Sequence, residues 1–123
     1  MLNLKTLTMK FKQFDIWLAD LNPQISTEPG KTRPVLVVQT NLLNEIPHPS
    51  TLICPITTNI QKESEILRVH IRKGTANLNG NSDIMIDQVR AIDNKRLIKK
   101  IGELPDNLSK QVKDNLSIIL DLI

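Results

Sequence analysis

The feature that most restricts the fold of this chain is a continuous aliphatic run, Val35 to Val38, which has no polar face. A strand of this composition needs protein on both sides, because either face would otherwise expose apolar side chains to water. A turn-rich loop precedes the run and carries the acid Glu28 and the cations Lys31 and Arg33. A charge at the start of a rigid strand is well placed for catalysis or for binding a phosphate.

Runs rich in strand-forming residues predict a strand at the aliphatic run and five more, each bounded by turn residues. In chain order they are 14–21, 34–39, 51–57, 66–71, 83–89 and 96–104. Pro55 lies inside the third run, and proline lacks the N–H that a sheet ladder needs. It therefore predicts an edge strand or a bulge at that point.

The C-terminal segment has the pattern of an amphipathic helix. Pro105 opens it, where a missing N–H costs nothing, and Asp106 suits the positive end of the helix dipole. Apolar residues recur on one helical face, at Leu108, Val112, Leu116, Ile119, Leu120 and Ile123. Several strands followed by one long helix predict a mainly β (α+β) fold, a small barrel capped by this helix. Residues 1–12 are expected to be a short extension of a single domain spanning 13–123.

Composition narrows the class of protein. The apolar fraction of 40% is enough for a core, and the single cysteine, Cys54, excludes an intrachain disulfide and fits a reducing compartment. No segment approaches the roughly 20 apolar residues that span a bilayer, and the N-terminus lacks the apolar run of a signal peptide. These features predict a soluble, cytoplasmic protein. The formal charge of +3 suits an anionic partner without requiring one.

The candidate site residues are Arg33, Glu28, Thr57 and Thr58. The planar fork of Arg33 matches phosphate oxygens, although the same side chain could pair with Glu28 across its own loop. Burial of Glu28 would favour its use as a general base, whereas a nearby Arg33 would oppose it. Thr57 and Thr58 end a strand, and strand alternation predicts that only one of them faces a given site.

Other common sites find no support in the sequence. His48 lies between two prolines and His70 on a strand, and nothing in their spacing brings them together. A single cysteine and the lack of an H-E-x-x-H pattern argue against zinc, and no paired-carboxylate pattern indicates magnesium. Gly30-Lys31-Thr32 lacks the earlier glycine that a P-loop needs. The sequence therefore predicts neither a metal site nor a cofactor.

Four motifs occur in a fixed order, at Asp15–Pro23, Glu28–Val37, Pro55–Thr58 and Asp87–Asp93. Together they resemble the MazF/PemK family of toxin endoribonucleases, from about Phe14 onward. The resemblance implies a small SH3-like β-barrel of the CcdB/PemK-like type, working as a homodimer with a cognate MazE-like antitoxin. It implies the toxin of a type II toxin–antitoxin system, which cleaves single-stranded mRNA at specific sequences without metal and so inhibits translation. Attack by the ribose 2′-hydroxyl would leave a 2′,3′-cyclic phosphate and a 5′-hydroxyl.

The resemblance also implies roles for individual residues. The family's catalytic arginine and threonine correspond to Arg33 and Thr57, and a glutamate with a catalytic or RNA-contacting role corresponds to Glu28. Arg33 would stabilise charge on the phosphate oxygens, and Thr57 would hydrogen-bond the same oxygens. Glu28 is the candidate acceptor of the 2′-hydroxyl proton.

RNA recognition is expected to use hydrogen bonds, because modules that stack bases need more aromatic rings than this chain has. Lys31, Thr58 and Gln88 are the expected RNA contacts, with Gln88 on the fifth strand. The loops 22–32 and 59–65 are the expected readers of the RNA sequence.

Two other classes of protein stay open at this point. One is a CcdB-like toxin, which binds DNA gyrase and performs no chemistry. The other is a non-catalytic RNA-binding barrel. The Arg33–Thr57 pair and a C-terminus without aromatic residues favour the nuclease.

Overall fold

The computed structural model describes residues 10–122, which form seven strands, two α-helices and three 3₁₀ turns. The strands are β1 (Asp15–Asp20), β2 (Thr32–Val37), β3 (Ser50–Thr57), β4 (Arg68–Ile71), β5 (Ser82–Met85), β6 (Arg90–Asp93) and β7 (Leu97–Glu103). The helices are α1 (Asn41–Asn44) and α2 (Asp106–Ile119), and the 3₁₀ turns are Thr75–Asn77, Ile86–Gln88 and Asn94–Arg96.

The strands pair antiparallel in the order β4-β5-β3-β2-β1-β7, and β6 pairs with the first half of β3. Within residues 10–122, the outer strands β4 and β7 do not pair with each other. The predicted mainly β fold with a C-terminal amphipathic helix is confirmed, whereas the described strands leave the sheet open and do not close it into a barrel.

The first three residues of the aliphatic run lie in β2, inside the sheet, and are buried on both faces as predicted. Val35, Leu36 and Val37 are each 0% exposed. Leu36 packs into one core beside Ile16 and Cys54, its partners in β1 and β3. Val35 and Val37 belong to a second core, because alternate residues of a strand point to opposite faces. The loop before β2 is therefore attached to the best-covered strand of the sheet.

Helix α2 covers the core that contains Leu36. Val112 is fully buried in this core. Three further residues of the same helical face pack at its edge: Leu108, Leu116 and Ile119. The predicted helix is confirmed, although Leu120 lies just beyond its end and is 53% exposed. Ile123 lies outside the described residues.

The predicted strand 83–89 is wrong in its second half. β5 ends at Met85, Ile86–Gln88 form a 3₁₀ turn, and β6 begins at Arg90. β5 pairs with the end of β3 and β6 with its first half, so the turn lies beside the stretch that contains Pro55. Pro55 has no N–H to donate there, and the adjacent segment of the same chain leaves the ladder at that point. The prediction of an edge strand or a bulge at Pro55 is therefore wrong: Pro55 lies in a central strand, and the irregularity falls in the adjacent segment Ile86–Gln88.

Part of the predicted N-terminal extension packs on the folded chain. Phe11 is 8% exposed, and its ring meets that of Trp17 edge-on, with 4.9 Å between the centroids. An edge-to-face pair of this kind adds about 1 kcal/mol to the burial of the rings. Residues 1–9 lie outside the described residues, and the domain boundary at 12 stays a prediction. Within residues 10–122, no helix is long and apolar enough to cross a membrane.

Candidate functional site

The pairing of β2 with β3 brings Arg33 and Thr57 to the same face of the sheet. Val35 lies opposite Pro55, and Val37 opposite Ile53. The paired register ends at Val35 and Pro55, and Arg33 and Thr57 lie two residues beyond them, at the same end of the two strands. Residues of neighbouring strands that follow a paired position at equal distance lie close together. Two residues that are distant in the sequence thus become neighbours at one end of the sheet.

Arg33 and Thr57 line a cavity of about 540 Å³ at this end of the sheet. Its other lining residues come from the loop before β2 and from the ends of β2 and β3: Gln24, Lys31, Thr32, Pro34, Ile56, Thr58 and Asn59. Both threonines line it, so the prediction that only one could face the site is wrong. The reason is that β3 ends at Thr57, and the alternation of a strand does not extend to Thr58.

The guanidinium of Arg33 is positioned by one hydrogen bond and is not neutralised by an ion pair. Its Nε donates to the carbonyl oxygen of Gly30 at 2.8 Å. Arg33 forms no ion pair with any residue that the structure describes. Partial burial lowers the pKa of Arg33, but an arginine starts so high that it stays protonated at neutral pH. The site therefore presents a fixed positive fork of N–H donors that suits an anion.

The loop that carries Arg33 is closely packed at Gly30. A Cβ on Gly30 would lie 2.5 Å from Cβ of Gln24 and 2.9 Å from its Cα, so a side chain would push the two sides of the loop apart. The loop is closed by two hydrogen bonds: Leu21 N–H donates to the Lys31 carbonyl at 2.9 Å, and Lys31 N–H donates to Asn22 Oδ1 at 2.8 Å. The carbonyl that orients Arg33 is thus part of a tightly folded segment.

The hydroxyl of Thr57 has a defined orientation. Its Oγ1 accepts a hydrogen bond from the Asn59 N–H at 3.1 Å. A hydroxyl can accept and donate at the same time, so this bond leaves the O–H of Thr57 free to donate into the cavity. Arg33 and Thr57 together offer donors of two kinds, one charged and one neutral, to the same space.

Glu28 and Gln88, the other two residues expected in the site, do not line the described cavity. Glu28 Oε2 lies 3.2 Å from Nη1 of Arg90, at the start of β6. This ion pair replaces the Glu28–Arg33 pair that the sequence left open. Gln88 lies in the 3₁₀ turn rather than on a strand. Of the predicted site residues, the structure brings Arg33, Thr57, Lys31 and Thr58 together in one cavity, and it places Glu28 and Gln88 outside that cavity.

Three polar residues of the cavity had not been identified from the sequence, namely Gln24, Thr32 and Asn59. The only indication of these residues in the sequence is their position within the loops that are expected to read RNA. The two histidines contact different residues and do not form a pair. His48 Nδ1 lies 2.7 Å from the Ser50 carbonyl, whereas His70 contacts Asp83. The described residues hold no group of three acidic, histidine or cysteine side chains that could bind a metal ion.

The class of protein follows from a family comparison. The model of the PemK-like, MazF-like toxins of type II toxin–antitoxin systems matches residues 12–120, and the chain therefore belongs to this family. It is 36% identical over 115 residues to endoribonuclease EndoA of Bacillus subtilis (strain 168), a match that covers 94% of this chain and 98% of EndoA.

Solved structures of the same kind share the fold. The toxin MazF-mt6 of Mycobacterium tuberculosis superposes with a TM-score of 0.72 at 21% identity, covering 87% of this chain and 96% of that one. A MazE-MazF crystal structure from Deinococcus radiodurans (Form-II) superposes with a TM-score of 0.71 at 21% identity, covering 92% and 97%. At such identities the likeness supports the fold of this chain.

Proposed function

We propose that this toxin is a sequence-specific endoribonuclease that cleaves single-stranded RNA in the cytoplasm. The observation that carries the proposal is the arrangement of Arg33 and Thr57, which share one cavity while the arginine has no described counter-charge. Such a cavity suits a phosphate group and the extra negative charge that develops on it during cleavage. The proposal is also supported by a relative that is named an endoribonuclease and is matched over nearly its whole length.

The reaction assigned to the cavity is transesterification at one phosphodiester. The ribose 2′-oxygen attacks the neighbouring phosphorus and loses its proton, while the bond from phosphorus to the 5′-oxygen breaks. The products are a 2′,3′-cyclic phosphate and a 5′-hydroxyl, whose oxygen takes up a proton. The Nη groups of Arg33 and the hydroxyl of Thr57 would donate to the non-bridging oxygens as charge builds up there. Lys31, exposed at the rim, would contact the RNA backbone as a point charge.

Base recognition would depend on hydrogen bonds. No described residue lining the cavity carries an aromatic ring, and the polar side chains of Gln24, Thr32, Thr58 and Asn59 stand along it. Amide and hydroxyl groups can read the edges of unpaired bases. Gln88 stays a proposed RNA contact from the family resemblance, and its place in the 3₁₀ turn would put that contact outside this cavity.

The proton acceptor is the part of the mechanism that needs a separate test. We expect the change Glu28→Gln to alter kcat by less than about threefold and to leave the pH profile of kcat unchanged, because the carboxylate is bound to Arg90 and lies outside the cavity. The measurement is RNA cleavage from acid to neutral pH. A general base contributes about a hundredfold or more. A loss of that size, together with the disappearance of the acid limb, would assign Glu28 as the base.

Two protein partners belong to the same proposal, a second copy of the chain and a MazE-like antitoxin. A Deinococcus radiodurans structure contains a MazE-MazF pair, which supports the proposal that the present chain also binds an antitoxin. An acidic antitoxin segment laid over Lys31 and Arg33 would compete with RNA for the same charges. For the dimer, the end of α2 and the segment before β4 leave large apolar side chains exposed: Ile66, Leu67, Ile118 and Leu122.

Incubation of the purified protein with mixed-sequence RNA in EDTA, followed by mapping of both new ends, tests the proposed function. We expect cuts at a short recurrent motif, 5′-hydroxyl ends that accept phosphate from a kinase, and cyclic phosphates on the other fragments. An Arg33→Ala sample run in parallel controls for contaminating nucleases. RNA that stays intact in both EDTA and magnesium would overturn the proposal. A gel shift without cleavage would then indicate a binding protein, and inhibition of DNA gyrase would indicate a gyrase toxin.

A further inference from the structure

The most completely buried charge outside the cavity is the carboxylate of Asp83 in β5, which is 0% exposed. Its Oδ2 accepts hydrogen bonds from the Gln61 N–H at 2.9 Å and from Nη1 of Arg68 at 3.1 Å. Its Oδ1 contacts Nδ1 of His70 at 2.5 Å. Burying a carboxylate is costly unless donors surround it. Both oxygens of Asp83 have hydrogen-bond partners, so the carboxylate is a fixed anchor for Gln61, Arg68 and His70.

Asp83 belongs to the same row of the sheet as the cavity residues. Thr57 lies opposite Asp83 in the pairing of β3 with β5, and His70 lies opposite Asp83 in the pairing of β4 with β5. A row of paired residues therefore runs from Thr57 through Asp83 to His70, and Arg33 lines the same cavity as Thr57. Residues opposite each other share a face. The anchor thus lies one strand beyond Thr57 on the face of the proposed chemistry.

Arg68 connects the anchor to Thr57 through the chain that follows β3. The same Nη1 that binds Asp83 also donates to the Asn59 carbonyl at 3.1 Å. The N–H of Asn59 in turn donates to Oγ1 of Thr57 at 3.1 Å. Two residues further on, the Gln61 N–H is bound directly by Asp83. The segment after β3 is therefore held at Asn59 through Arg68 and at Gln61 directly by the carboxylate of Asp83, and the side chain of Arg68 is only 12% exposed.

We infer that Asp83 and Arg68 are positioning residues for RNA cleavage, which act by fixing residues 59–61 and, through Asn59, the hydroxyl of Thr57. The inference rests on the proposed ribonuclease function. Neither side chain lines the cavity, so neither contacts the reacting phosphate. A donor displaced by about 1 Å loses much of its effect on a transition state. Loosening this anchor should therefore lower the rate of the chemical step more than it lowers RNA binding.

His70 provides a matched control because it binds the same carboxylate from the other side. Its side chain is 40% exposed, and no hydrogen bond in the described chain joins it to Asn59 or Gln61. Both Arg68→Gln and His70→Gln replace a donor to Asp83 by a neutral donor. Only the first removes the bridge to Asn59. A comparison of the two separates the positioning of Thr57 from simple support of a buried charge.

The experiment measures kcat and KM for RNA cleavage by the wild type, Arg68→Gln and His70→Gln, each checked for a normal melting curve. We expect Arg68→Gln to lower kcat between about tenfold and a hundredfold with KM within about threefold, and His70→Gln to change kcat by less than about threefold. Arg68→Lys keeps a positive charge beside Asp83, but its side chain is one bond shorter, so its nitrogen should not reach the position from which Nη1 binds both acceptors, and it should resemble Arg68→Gln. Arg68→Lys replaces Arg68→Gln in the comparison if Arg68→Gln fails to fold.

Two further measurements do not depend on the overall stability of the variants. Amide hydrogen exchange at Asn59 and Gln61 should become faster in the Arg68 variants while the core strands keep their protection. In a Thr57→Val background, Arg68→Gln should cost less than in the wild type, because residues that act through one another are not additive. Equal losses in the Arg68 and His70 variants, or full additivity with Thr57→Val, would overturn the inference. If the wild type does not cleave RNA, the proposed function fails, and the exchange data alone still decide whether Arg68 holds this segment.

Discussion

Replacement of Arg33 by alanine should lower RNA cleavage about a thousandfold, which is the scale of a single arginine that stabilises phosphoryl charge. The guanidinium lines the cavity and forms no described ion pair, and its Nε is fixed on the Gly30 carbonyl at 2.8 Å. Loss of that one hydrogen bond should cost the fold only about 1 kcal/mol. The measurement is single-turnover cleavage at saturating protein, with a thermal melt to show that the variant is folded.

Arg33→Lys separates the charge from the shape of the side chain. Lysine retains a positive charge but lacks the planar fork that can hold two phosphate oxygens at once. We expect it to recover part of the activity and to remain at least about tenfold below the wild type. If Arg33→Ala cleaves within tenfold of the wild type, the cavity is not the reaction site.

Leu36→Ala should destabilise the protein by about 3 kcal/mol, within the range for leucines in well-packed cores. Leu36 is 0% exposed, lies between Ile16 and Cys54 in neighbouring strands, and belongs to the core under α2. Removal of its side chain leaves a cavity that the three packed elements cannot fill without moving. Unfolding in urea, followed by circular dichroism, gives the change in free energy.

Leu42→Ala is the matched control, since the same atoms are removed from a side chain that is 78% exposed in α1. It should change the free energy of unfolding by less than about 0.5 kcal/mol. Equal effects of the two changes would mean that Leu36 is not a core residue.

Local patterns were enough to predict β2 and α2. An aliphatic run without a polar face admits few placements, and the repeat of Leu108, Val112 and Leu116 defines a helical face without reference to the rest of the chain. The break in the predicted strand 83–89 could not be found this way. It depends on which part of β3 lies beside the chain, and in particular on a proline in that partner strand.

The same distinction applies to the site. Arg33 and Thr57 were identified from motifs, but the pairing register decides that they are neighbours. The partner of Glu28 is Arg90, which lies in β6, a strand that the sequence did not predict. The anchor at Asp83 joins residues from two strands and a loop. Side chains brought together by strand order leave no local signal in the sequence.

The burial of Cys54 should make its thiol unreactive toward thiol reagents. Burial, and to a lesser extent the negative charge of Asp87, raises the pKa of Cys54 to about 12. The thiolate is the form that reacts with alkylating and oxidising agents, and it is scarce at neutral pH with such a pKa. Since the chain has no other cysteine, a single one introduced on an exposed loop would be the sole reactive thiol. Fluorescent or spin labels could then report on the 59–65 loop without prior removal of a native cysteine.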